Sequence, residues 1–140
     1  MNIYLKIFIW IVVLLLVVLG VVFFATRKVV AAGDKFVGLL ATNTEESVHA
    51  SYDLLTSNVK AGLAFEGYTN IFNGKISSAI IPPATWMSRR VTYEGGSLLG
   101  ELKGVLVLED GNKKSIELEL RKENGEWKIS YLAIKEIEGQ

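Results

Sequence analysis

His49 and Asp53 stand four residues apart, a spacing that brings two side chains onto one face of a helix. An imidazole and a carboxylate so placed could serve as a general base and its orienting acid. His49 is the only histidine and the chain holds no cysteine, so a metal ion would find no second ligand at a familiar spacing. His49 follows Val48 and keeps company with Glu45, Glu46 and Asp53 rather than lining up with Tyr52 and Leu55, which is the pattern of a solvated helix face. No catalytic set, metal or cofactor is assigned, and His49 and Asp53 are the candidates should the chain perform chemistry. Tyr52, Phe65, Tyr68, Phe72, Trp86 and Trp127 could line a small apolar pocket or fill a core. Arg89 alternates with Met87, Val91 and Tyr93; buried, its guanidinium would need a carboxylate from a ligand or partner. If the opposite face is buried, Arg90 takes that place and Arg89 is solvated.

The elements that must position these residues begin with a membrane segment. Ile7 to Ala25 is a run of nineteen uncharged residues, sixteen of them Ile, Leu, Val or Phe. At about 1.5 Å per residue it nearly matches a hydrocarbon core of about 30 Å. A cleaved secretory signal is the competing reading, with Lys6 as its basic start and Val29-Val30-Ala31 as a loose cleavage site. The run is long for such a signal, and Arg27 and Lys28 separate it from that site, which favours an uncleaved anchor. The division that follows is an anchor over 1–28, a short linker over 29–33 and one α+β domain over 34–140.

That domain has the usual size for a single core. It carries twelve Lys and Arg, scattered, against fifteen Asp and Glu, which argues against nucleic acid as a partner. Arg27, Lys28 and Lys35 follow the apolar run whereas Lys6 precedes it, so the count of basic residues favours a cytoplasmic domain. No Asn-x-Ser/Thr acceptor is present.

Helical signals come first. Phe36, Leu39 and Leu40 give a short apolar face, and Thr44-Glu45-Glu46 has the hydroxyl and early acids of a helix start continued by Val48, Tyr52 and Leu55. Phe65, Tyr68 and Phe72 recur at helical spacing until Asn73-Gly74, a stop signal. After Pro82-Pro83 the period changes to two. Leu98, Gly100, Leu102, Gly104, Leu106 and Leu108 share one strand face, and Ile116, Leu118 and Leu120 alternate with charged residues in the next strand. Asp110-Gly111 and Asn124-Gly125 supply the positive φ of tight hairpins, so three antiparallel strands follow, with Trp86 to Glu94 as a fourth. Gly100 and Gly104 would let the sheet bend. About three helices packed on a curved four-stranded antiparallel sheet behind a transmembrane helix is the expected fold, of the α+β class.

The stretch from Asp34-Lys35-Phe36 through Ala50-Ser51-Tyr52-Asp53-Leu54-Leu55, then Phe65 to Phe72, Gly104 to Gly111 and Lys122-Glu123-Asn124-Gly125-Glu126-Trp127-Lys128-Ile129, resembles the nuclear transport factor 2-like superfamily of cone-shaped, cystatin-like α+β domains. The similarity is to small prokaryotic members that stand behind an N-terminal membrane helix. It implies a pocket at the open end of the cone and a domain outside the cytoplasm, against the count of basic residues; the reading adopted is export. Such folds host isomerases, dehydratases, binding modules and secretion-complex subunits, so fold alone assigns no activity. The absence of an evident catalytic set favours a membrane-tethered interaction module with a protein partner or a second copy of itself. The alternative is a small-ligand-binding or isomerase-like protein using the cone.

Overall fold

The computed structural model describes residues 2–75 and 78–137, the side chains of 72–75 excepted. Among the described residues four helices precede four strands: α1 (Ile3–Thr42), α2 (Glu45–Asp53), α3 (Ser57–Gly62), α4 (Phe65–Lys75), β1 (Ile80–Glu94), β2 (Ser97–Leu108), β3 (Lys113–Glu123) and β4 (Glu126–Glu136). The strands form one open antiparallel sheet in the order β1-β2-β3-β4, so the chain has the α+β architecture read from its periodicities.

The anchor and the first domain helix are one element. α1 spans 40 residues, about 60 Å at the usual rise. It starts on Asn2, whose side chain caps Tyr4, and ends at Asn43 in the left-handed region. The residues 29–33 expected as a linker are helical, and the short helix expected around Phe36 is the tail of α1. Nothing between Ala25 and Asp34 is a proline, and Val29, Gly33, Phe36, Val37 and Leu40 recur on a single buried stripe. Gly33 therefore serves close packing rather than chain flexibility: a Cβ there would press on Leu102 and on the Trp86 ring.

The other two contact glycines lie on β2. A Cβ at Gly100 would come within 2.8 Å of the Val29 methyl groups, and one at Gly104 would overlap the Thr85 carbonyl oxygen and the Trp86 ring. Close approach of helix and neighbouring strand, not bending alone, requires glycine at both positions. Between them Leu102 is fully buried, with Leu106, Leu108, Ile116, Leu118 and Leu120 completing the inner face of β2 and β3. Each such side chain contributes roughly 1.5–3 kcal/mol by leaving water.

The helices after α1 follow local signals with some shifts. Thr44 and Ser47 form a reciprocal capping box at the start of α2, which ends at Asp53. Leu55, read as the last turn of that helix, instead makes a parallel bridge to Ile129. α3 carries no apolar period and has no sequence-based counterpart; Thr56 caps it and none of its residues is buried. α4 continues through Asn73-Gly74 to Lys75. Pro82-Pro83 lies inside β1, where the register shifts between Ile81 and Thr85. As an edge strand β1 tolerates prolines because no neighbour requires their missing N–H groups. The Gly95-Gly96, Asp110-Gly111 and Asn124-Gly125 turns supply positive φ at Gly95, Gly96, Gly111, Asn124 and Gly125.

Candidate functional site

The helix face bearing His49 assembles as its spacing implies. His49 Nδ1 lies 3.5 Å from an Asp53 carboxylate oxygen, and the imidazole leans on the Phe65 ring at 4.7 Å between centroids. The His49 and Asp53 side chains are 59% and 60% exposed, so water surrounds the pair. With Glu45, Glu46 and Ala50 they line an open surface depression rather than a cleft. Among the described residues no group of three or more His, Cys, Asp or Glu could hold a metal ion.

The aromatic residues separate into three environments. Tyr52, Phe65 and Tyr68 form one cluster between α2 and α4, with Tyr52 5.5 Å from each of the other two rings. The Tyr52 hydroxyl donates to the Leu63 carbonyl at 2.7 Å. The Tyr68 hydroxyl sits 2.8 Å from Ser51 Oγ, and Ser51 donates its own proton to the Val48 carbonyl, which makes Tyr68 the donor. Burial pushes the Tyr68 phenol up to about 12, partly offset by that hydrogen bond. Trp86 is part of the core, and its Nε1 donates to Asp34 Oδ1 at 2.8 Å, tying α1 to β1. Trp127 is half-buried on β4 and lines a separate cleft with Lys28, Ala31, Ala32 and Lys35 of α1. The Phe72 side chain lies outside the described residues. Arg89 is exposed, and Arg90, also exposed, bonds Glu101 across the β1–β2 pair at 3.0 Å through Nε. Neither arginine offers a buried cation to a ligand.

An apolar opening lies along the edge of β4. A groove of about 420 Å³ runs between Ile129–Lys135 of that strand and Leu55, Val59, Leu63, Tyr68 and Ile71. Of the aromatic residues singled out from sequence whose side chains are described, Tyr68 alone lines it. Ile71 and Tyr131, 55% and 44% exposed, flank it. Near its start the backbone of β4 is already engaged: Ile129 N–H donates to the Leu54 carbonyl at 2.7 Å and its carbonyl accepts from Thr56 N–H at 2.9 Å. Ser57 closes that corner by donating backbone and side-chain hydrogens to the Glu123 carboxylate, which holds this carboxyl below the usual glutamate range. Beyond the bridge, β4 is the free edge of the sheet among the described residues. The groove escaped sequence reasoning because its walls come from α3, which lacks a period, and from a strand edge, which periodicity does not report. The closest signal was Val59 and Leu63, four residues apart.

Comparison with protein-family models, with curated proteins and with solved structures gives no match for this chain.

Proposed function

We propose that the chain is a membrane-tethered, non-enzymatic interaction module whose β4-edge groove takes an extended apolar segment of a partner protein. The observation that carries the tether is the continuity of α1: Val29, four residues past Ala25, is already 1% exposed within the domain core. Cleavage after Ala31 would remove a core side chain, which supports an uncleaved anchor. The groove suits strand addition because the edge pairs at Ile129 and then runs on beside an apolar wall. The solvated positions of His49, Asp53 and Arg89 lend no support to catalysis. The resemblance to the nuclear transport factor 2-like superfamily stands within this proposal on its motif residues alone, as does placement of the domain outside the cytoplasm. A small apolar ligand is the second reading, favoured by a groove volume within the range of small-molecule sites.

Because the chain has no cysteine, single replacements report unambiguously. A photoactivatable residue at Tyr131 should form a discrete adduct in intact membranes, whereas one at Met87, exposed on the opposite edge strand, should not. An adduct of twice the chain mass would make the occupant a second copy. Equal labelling from both positions, or none from Tyr131, would remove the docking proposal. Labelling of Asp110→Cys in intact cells by an impermeant maleimide should succeed if the domain is exported and fail if it is cytoplasmic.

A further inference from the structure

We infer that the tip of the β1–β2 hairpin, Tyr93 to Leu98, rests in the bilayer interface as a second membrane contact; this goes beyond the tether while depending on α1 spanning the membrane. The direction of α1 over the sheet sets the geometry. Val29 packs on Gly100, and one turn later Gly33 packs on Leu102 and Trp86. Trp86 pairs with Gly104, so α1 advances along β2 from its start towards its end. The membrane segment, which precedes Val29, therefore leaves the domain past the start of β2, on the side of the Gly95-Gly96 turn. The Asp110-Gly111 turn is at the far end.

The distances then place the tip. From Val29 back to Ala25 is four residues of helix, about 6 Å. From Gly100 back to Ser97 is three residues of strand, about 10 Å. Even if strand and helix cross at about 45°, the strand reaches about 7 Å along the helix axis, and the turn itself extends farther. The hairpin tip thus arrives at the level where the apolar run of α1 ends, among lipid headgroups.

The residues at the tip suit that level. Tyr93 is 74% exposed beside the half-buried Leu98, its cross-strand partner, and the turn is two glycines with no side chain to desolvate. A tyrosine with an apolar ring and a polar hydroxyl is typical of membrane–water interfaces. Glu94 is the one charge between Tyr93 and Leu98. The Asn124-Gly125 turn, on the same end of the sheet, is more charged: Glu123 and Glu126 flank it, and Lys122, where the first hairpin has Tyr93, pairs with the half-buried Trp127. On α1 itself, Arg27 and Lys28 stack on Phe23 and Phe24, with cation-to-ring distances of 5.9 and 4.8 Å, marking the same polar boundary. Two contacts, helix and hairpin, would stop the domain from rotating about α1 and hold the β4 groove at a fixed height above the lipid.

The test uses the full chain in lipid nanodiscs, spin-labelled singly at Val18→Cys, Tyr93→Cys, Glu94→Cys and Asp110→Cys. Position 18 should collide with oxygen and not with a water-soluble nickel complex, and position 110 should do the reverse. Positions 93 and 94 should show nickel collisions well below position 110, at interfacial depth. Two exposed positions at the tip guard against a label that disturbs one of them. If 93 and 94 are as accessible to nickel as 110 while 18 stays protected, the hairpin contact is wrong and the anchor stands. If 18 is itself open to nickel, the anchor reading fails and this inference with it.

Discussion

The two flanks of the sheet are closed in different ways. On the β1–β2 flank, α1 lies so near the strands that Gly33 and Gly100 are needed to admit Leu102, Trp86 and Val29, and β1 lies so near β2 that Gly104 is needed to admit the Thr85 carbonyl and the Trp86 ring. On the β4 flank, the short helices α3 and α4 stand off the strand edge and leave an apolar groove. The first flank is packed against α1, which fixes the helix on the sheet; the second leaves a strand edge and an apolar groove uncovered among the described residues. Close packing and an open groove are thus divided between the edges, the division on which the proposed tethered binding module depends.

Substitutions should separate the flanks by size of effect. Gly104→Ala should be the most damaging, at about 3 kcal/mol or loss of folding, because its new methyl meets backbone rather than a mobile side chain. Urea unfolding of the detergent-solubilised chain would measure it, and a loss below about 1 kcal/mol would mean that β1 and β2 are less tightly fitted at this point than described. Asp34→Ala should cost about 1–2 kcal/mol by leaving the Trp86 Nε1 hydrogen without its acceptor. The same unfolding experiment checks it.

On the boundary between the flanks, Tyr68→Phe should cost about 1 kcal/mol and also change the response to alkali. The folded phenol titrates above the ordinary tyrosine value, so the protonated form is favoured by folding. Its contribution is therefore complete below about pH 10 and is lost as pH rises towards 12. The wild-type midpoint should fall over that window more than that of Tyr68→Phe; parallel curves would mean that this phenol is not shielded. The smallest stability changes belong to the groove. Ile71→Ser and Tyr131→Ser should shift stability by less than about 0.5 kcal/mol, since both side chains are largely exposed, yet should abolish the adduct formed from a photoactivatable residue at Ala133. An unchanged adduct would remove the groove from function.

The sheet was readable because alternation over Leu98–Leu108 and Lys114–Glu123 reports burial directly, and because Asp110-Gly111 and Asn124-Gly125 fix where strands reverse. Less of the first helix was readable as one piece. Val29, Gly33, Phe36 and Leu40 do form a stripe, but the stripe begins within two residues of Arg27, where the uninterrupted apolar run has ended and hydropathy ceases to be continuous. Gly33 then resembles a break, and only the position of Leu102 and Trp86 shows why a glycine is needed. The candidate site was the least legible part. His49 and Asp53 met as their spacing required, but spacing cannot report exposure, and the groove depends on how α3 and a strand edge face each other across the chain.

Amide hydrogen exchange of the full chain in nanodiscs tests most directly whether anchor and domain are one rigid element. Slow exchange should continue without interruption from the apolar run through residues 26–40, with α3 at 57–62, which buries no side chain, exchanging much faster. Exchange over 26–33 as fast as in α3 would mean a hinge between the apolar run and the domain, and α1 would then not be one rigid element.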